Sequence, residues 1–208
     1  MPSLKKKQLA KILSNLECFD NPKVELEQYT TPGDVAAELL WIAHINGDIA
    51  GKIIADLGTG TGVLAIGASL LGAGIVYSID RDDEALEIAQ RNIKNLNLEN
   101  NTLIHGDVSF FSHKVDTVIM NPPFGCQNRN ADRPFLEKAC ESEGVIYSIH
   151  PNLEEVRGFV EMFLKEKGFG FYLLKTMSFE IPHQFYFHKK RLERIEVCIY
   201  RFEKLGRY

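Results

Sequence analysis

Apolar positions along the chain follow a helical period first and a strand period afterwards. Over residues 3–16, Leu4, Leu9, Ile12, Leu13 and Leu16 share one face and lysines the other, which predicts a basic amphipathic helix. Asn21-Pro22 breaks it. A second helix is predicted from Pro32, a residue suited to a first helical position. It carries Val35, Ala36, Leu39, Leu40 and Ile42 and ends at Gly47. Short apolar runs then alternate with amphipathic stretches. Residues 52–57, 75–80, 102–105, 115–120 and 144–149 read as strands, and 63–71, 82–96 and 153–167 as helices. Strands that are nearly all apolar, each followed by a helix, predict a parallel sheet covered on both faces. Residues 169–179 and 194–202 are also strand-like, with too little chain between them for a crossover helix. They are predicted to close the sheet as an antiparallel pair.

Composition narrows the class. At 208 residues, 45% hydrophobic and 25% charged, the chain reads as one soluble globular domain over 1–208, with residues 1–31 as an N-terminal helical extension. No apolar run approaches the ~20 residues of a membrane span. The basic start at Lys5-Lys6-Lys7 lacks the apolar core of a secretory signal. Cys18, Cys126, Cys140 and Cys198 are scattered, which predicts neither a disulfide framework nor a zinc site and favours a reducing, cytoplasmic location. A net charge of −4 argues against a dedicated nucleic-acid binder.

Candidate chemistry sits at the predicted strand ends, where ligands bind in an open α/β sheet. After the first strand comes Asp56-Leu57-Gly58-Thr59-Gly60-Thr61-Gly62-Val63, a glycine turn that lets backbone amides approach a ligand ahead of a helix N-terminus. Gly58 and Gly60 also fit a dinucleotide fingerprint, but Val63 occupies its third glycine position. Asp80 closes the second strand, where a carboxylate can accept from two vicinal ribose hydroxyls. Asp107 and Val108 follow the third, offering an acceptor for an exocyclic amine and an amide for a ring nitrogen. After the fourth stands Asn121-Pro122-Pro123-Phe124, the sharpest signal. The prolines stiffen the backbone, Asn121 Oδ1 and the Pro122 carbonyl are acceptors, and Phe124 offers a stacking face. Together they suit a planar group carrying an NH₂.

The glycine motif, Asp80, Asp107-Val108 and the Asn-Pro-Pro-Phe tetrapeptide resemble class I S-adenosylmethionine-dependent methyltransferases of the amino-methylating group. Within it the chain resembles the ribosomal-RNA adenine N6 branch of the methyltransferase-like proteins, from Leu4 through Tyr147-Ser148-Ile149-His150 to Val197. The resemblance implies a Rossmann-like seven-stranded, mostly parallel sheet in the order 3-2-1-4-5-7-6, with the last strand antiparallel and helices on both faces. It implies S-adenosyl-L-methionine as methyl donor, with S-adenosyl-L-homocysteine as product, and residues 1–31 as a segment covering the cofactor. Gln28 and Thr31 become contacts to the methionine part, beside Gly58, Thr61 and Val63, and Tyr29 becomes a substrate contact. Thr30 departs from the proline that family members often carry. A small zinc-binding activator subunit is the implied partner, with residues 75–78 or 102–104 as candidate edge strands for it.

The implied reaction is in-line transfer of the sulfonium methyl to adenine N6 in ribosomal RNA, with the small subunit as the expected source. Glutamine N5 methylation of a translation release factor is the alternative, although those enzymes usually carry tyrosine after Asn-Pro-Pro. Hydrogen bonds to Asn121 and Pro122 would localise the N6 lone pair, and Phe124 would stack on a base drawn out of its own stack. For RNA, Lys5, Lys6, Lys7 and Lys11 form one basic cluster, and Phe187, His188, Lys189 and Lys190 belong to an aromatic–basic second, with Arg129 and Arg133 nearby. Two local basic lips on an acidic protein predict modest, salt-sensitive RNA affinity.

Overall fold

The structure, a computed structural model, describes residues 4–125, 131–142, 144–182 and 192–206. Seven strands form one sheet: β1 (Ile53–Leu57), β2 (Ile75–Asp80), β3 (Asn101–His105), β4 (Thr117–Met120), β5 (Val145–Pro151), β6 (Phe169–Pro182) and β7 (Leu192–Lys204). Their order is β3-β2-β1-β4-β5-β7-β6. Strands β1 to β5 pair in parallel, and β7 runs antiparallel to both β5 and β6. The implied topology is therefore observed, with the closing pair reaching further than its apolar pattern, from Phe169↔Lys204 to Pro182↔Leu192. Strand β2 lies inside the sheet. Of the two segments proposed for partner pairing, 75–78 is thus already paired on both sides, and only 102–104, on the edge strand β3, is open to another chain.

Alternation along the strands explains the two-sided core. Ile54, Ile119, Tyr147, Ile149, Val197 and Ile199 point to one face. There they meet α2 (Gly33–Ile45), α3 (Val63–Leu70) and Ile93 of α4 (Asp83–Asn95). Ala55, Leu57, Val118, Met120, Ile146, Tyr200 and Phe202 point to the other. They meet Leu136 and Ala139 of α5 (Arg133–Glu141) and Val160, Phe163 and Leu164 of α6 (Glu154–Glu166). Side chains of period two with both faces covered need the crossover helices that the sequence supplies.

The N-terminal helix α1 (Lys6–Ser14) is part of this core. Leu9 and Leu13 are buried against α2 and α3, each contributing about 1.5–3 kcal/mol by burial. Its lysines are partly committed: Lys6 Nζ lies 2.8 Å from a Glu38 carboxylate oxygen, and Lys175 takes the other oxygen of the same group at 2.8 Å. Pro32 stands as the N-cap of α2, one position before its predicted place. Periodicity does not predict helix α5, although Arg133-Pro134 at its first turn is a helix-start signal. No helix among the described residues is long and apolar enough to cross a membrane.

Candidate active site

The four predicted strand ends converge at the carboxyl edge of the sheet, where the order reverses between β1 and β4. Beyond β1, the Gly58 and Thr59 amides donate to Ile79 O at 2.8 and 2.9 Å, carrying the turn over the end of β2. Gly58, Gly60 and Gly62 hold φ of 72°, 55° and 87°, a left-handed run that side-chain-bearing residues resist. Asp56 lies beneath, fully buried. Its Oδ2 accepts from Thr59 Oγ1 at 2.7 Å and from the Ala65 amide in the first turn of α3 at 3.0 Å. Burial pushes its carboxyl up to about 7, with Asp80 adding to the effect. Among the described residues Asp56 Oδ1 has no hydrogen-bond partner. Asp56, Thr30, Thr31 and Asn121 line a small cavity of about 40 Å³ beside the turn.

Asp80 braces the same turn. Its carboxylate accepts from the Gly60 amide at 2.8 Å and the Asp82 amide at 3.0 Å, and burial raises its pKa. Asp107 caps a 3₁₀ turn, Val108–Phe110. It accepts from Ser109 Oγ at 2.6 Å and Ser109 N at 3.0 Å, bonds that hold its carboxyl below the usual range. Between these groups lies a cleft of about 310 Å³, floored by Gly58, Gly60, Asp80 and Gly106–Val108 and reaching Asn121 and Pro123.

Its cover comes from segments that periodicity does not link to the site. Phe135, at the start of α5, lies over Gly58, where an added Cβ would stand 2.7 Å from its Cε1. Phe19 lies over Gly60, 3.5 Å from the corresponding point. The chain from Glu17 to Tyr29 is strapped to α4 at two places. Asn92 Oδ1 accepts from Glu17 N at 2.8 Å, and Asn92 Nδ2 donates to Glu17 O and Thr61 O, each at 3.0 Å. Lys23 Nζ reaches Asp82 Oδ1 at 2.7 Å, and Gln28 donates to Asp82 Oδ2 while accepting from Lys23 N at 2.8 Å. Burial opposes ionisation of Asp82, yet Lys23 and Gln28 prevail and hold its pKa below the usual value. Gln28 lines the cleft with its amide already committed to this latch.

At the end of β4, Asn121 joins the two cavities. Its Nδ2 donates to Thr31 Oγ1 at 2.9 Å, and its Oδ1 accepts from Tyr29 Oη at 3.1 Å. The Tyr29 and Phe124 rings pack at 5.1 Å and 47°. Pro122 is buried; Pro123 and Phe124 are half-buried. Further under the motif, Ser148 Oγ lies 2.8 Å from His150 Nε2, and burial lowers the His150 pKa to about 3, so the imidazole is neutral. Tyr147 serves the opposite end of the strand, bonded to Asp48 at 2.7 Å.

Of the predicted site residues, Gln28, Tyr29, Thr31, Asp56, residues 58–61, Val63, Asp80, Asp107-Val108, Asn121 and Pro123 line one or other cavity, whereas Gly62 faces away from both, its missing Cβ directed at Ala89 Cβ 3.2 Å away. Pro122 and Phe124 flank it in sequence. Phe187, His188, Lys189 and Lys190, with Cys126 and Arg129, lie outside the described residues. Arg133, expected to add charge near the target, is 3.0 Å from Glu137 in an i,i+4 pair. Periodicity missed Phe19, Arg81, Asp82, Asn92 and Phe135.

Comparison with known proteins fits this geometry. An uncharacterized protein of Methanocaldococcus jannaschii is 40% identical over 98% of this chain and 96% of its own length. The rRNA N(6)-adenosine-methyltransferase METTL5 of Danio rerio is 35% identical over 96% of this chain and 99% of its own. The chain belongs to the METTL5 methyltransferase family. Its fold agrees throughout: a Pyrococcus horikoshii crystal structure, provisionally described as an RNA methyltransferase, superposes with a TM-score of 0.92 at 53% identity, covering 98% of this chain and all of the other. The model of the ribosomal protein L11 methyltransferase family, PrmA, matches residues 39–122, the part of this METTL5 relative that holds the glycine turn and reaches the tetrapeptide. Family membership makes the chain a methyltransferase, with the Asn121 amide at the meeting point of its two cavities.

Proposed function

We propose that this protein transfers the methyl group of S-adenosyl-L-methionine to N6 of an adenosine in ribosomal RNA, with the small subunit as its source. One observation carries the reading: the Asn121 amide stands where the two cavities meet, its oxygen accepting from Tyr29, whose ring packs on Phe124, and its nitrogen donating to Thr31.

The residues fit the methyl donor. The left-handed glycine turn keeps side chains off the cleft floor, Asp80 ends β2 within it, and Asp56 lines the small cavity beside the turn. Gln28, Thr61 and Val63 would line the methionine end, and Asp107 and Val108 the adenine end. Bound there, S-adenosylmethionine supplies an electrophilic methyl on sulfur. The chain does the rest by position and hydrogen bonding. Asn121 Oδ1 and the Pro122 carbonyl accept from the adenine amine, drawing its lone pair out of the ring and stabilising charge as it develops. Phe124 stacks on the flipped base, worth about 1–3 kcal/mol. Neutral, buried His150 sits too deep to serve as a base, and an amine so held needs none before attack.

A zinc-binding activator would find its open edge at β3. Phe110, in the turn that follows, is 84% exposed, and Tyr77 and His113 stack at 4.5 Å close by. The deciding experiment incubates the protein and labelled S-adenosylmethionine separately with deproteinised ribosomal RNA, intact small subunits, ribosomal protein and release factor, then identifies the product. N6-methyladenosine in the RNA arm supports the proposal; label confined to glutamine or to protein overturns it.

A further inference from the structure

The family resemblance implies Tyr29 and Thr31 as contacts to substrate and cofactor, and in the structure both side-chain hydroxyls also hydrogen-bond to Asn121. An amide side chain is nearly symmetric in shape, so Asn121 can stand in two orientations related by a half-turn about its terminal bond. Only one of them offers an acceptor to an incoming amine; the other sets an NH₂ against an NH₂. In the structure the oxygen faces Tyr29 Oη at 3.1 Å and the nitrogen faces Thr31 Oγ1 at 2.9 Å.

Those two hydroxyls are not equivalent. A phenol is the more acidic, with a pKa of about 10, and its oxygen lone pairs are partly drawn into the ring. It is therefore the better donor and the poorer acceptor. An aliphatic hydroxyl such as that of Thr31 is the better acceptor of the two. Phenol on the oxygen side and aliphatic hydroxyl on the nitrogen side is the arrangement that favours the productive orientation; the reversed amide would ask each hydroxyl to play its weaker part. A carbonyl oxygen has two lone pairs, so the Tyr29 bond leaves one for the substrate. The Tyr29 ring also packs on Phe124 at 5.1 Å, so one residue steadies both the acceptor and the stacking face.

We propose that Tyr29 and Thr31 are positioning residues that hold the Asn121 amide with its oxygen toward the target amine and its nitrogen toward the cofactor side. The proposal rests on the reading above, in which Asn121 receives that amine. Its consequence is a loss confined to turnover. Tyr29→Phe keeps the ring and removes the donor; it should lower kcat about tenfold, the scale of one net hydrogen bond, and leave KM for S-adenosylmethionine and for deproteinised ribosomal RNA within about twofold. Thr31→Val should behave alike, and Thr31→Ser, which restores a hydroxyl, should recover most of the rate.

A symmetric side chain supplies the decisive control. In an Asn121→Asp background an oxygen faces the substrate whichever way the group turns, so adding Tyr29→Phe should change the remaining rate less than about twofold. Single-turnover methylation of ribosomal RNA, with thermal melting of each variant alongside, reads these outcomes. An unimpaired Tyr29→Phe enzyme overturns the proposal, as does a defect confined to KM or a Thr31→Ser enzyme as slow as Thr31→Val. If instead Asn121→Ala retains full turnover, or wild-type label appears only in protein, it is the functional reading that fails, a result distinct from these.

Discussion

Asn92 ties the covering strap to the glycine turn, and its removal should loosen both. The side chain is 3% exposed and makes three hydrogen bonds of 2.8–3.0 Å, two to the Glu17 backbone and one to Thr61 O. Each is worth roughly 0.5–1.5 kcal/mol net. Thr61 is itself buried, so Asn92→Ala leaves its carbonyl with the larger penalty of an unpaired buried group, about 1–3 kcal/mol. The sum is about 4 kcal/mol, a sizeable share of the 5–15 kcal/mol by which a domain is stable. For a chain of this length that corresponds to a fall in Tm of roughly 8–16 °C. Asn92→Asp should be worse, since an oxygen would replace the nitrogen that now donates to two carbonyls. The Arg91–Glu17 ion pair survives either change and keeps the strap from leaving altogether. Hydrogen exchange over residues 17–28, with thermal melting and cofactor titration, checks the reasoning: faster exchange, lower Tm and weaker binding should appear together. Wild-type Tm and wild-type exchange in Asn92→Ala would refute it.

Gly58→Ala should lose stability and cofactor affinity for two separable reasons. The left-handed φ costs about 1–2 kcal/mol, and the new Cβ meets Phe135 Cε1 at 2.7 Å. Adding Phe135→Ala should relieve the second alone, as a denaturation double-mutant cycle can show. Asp56 has a folded-state pKa of about 7 against an ordinary 3.8, so its contribution is fully present below about pH 4 and is lost as pH rises through 7. Asp56→Asn keeps an oxygen for Thr59 and Ala65 and should flatten that part of the stability curve between about pH 4 and 7; parallel curves for the two proteins would contradict the assignment. RNA affinity should fall steeply between low and physiological salt, and Lys7→Ala and Lys11→Ala should each reduce the salt slope, a trend that filter binding at several ionic strengths measures. Lys6, held by Glu38, should matter less.

Periodicity placed β2 at its observed bounds and the other strands within a few residues, because alternate side chains on a two-faced sheet must all be apolar. The strand ends then assembled most of the cleft floor without further information, since parallel strands deliver their carboxyl ends to one edge. Phe135 carries no periodic signal because α5 is short and follows the tetrapeptide closely. Its proline start was legible, but nothing local shows that its first turn folds back over Gly58. Asn92 reads as one polar residue on an amphipathic helix; only packing reveals that it is buried and reaches chain 75 residues away.

The sequence alone therefore determined the layers, the strand ends and the types of group available there, since these follow from local period and from conformations special to glycine and proline. Tertiary structure alone decided which group faces which. Tyr29 and Asn121 meet across 92 positions, and Gln28 and Asp82 across 54. Neither pairing leaves a local signal. Each exists because sheet order and the docking of α1 against α2 and α3 bring the N-terminal strap across the strand ends, where a few ångströms settle whether a hydroxyl binds the cofactor or holds the amide beside it.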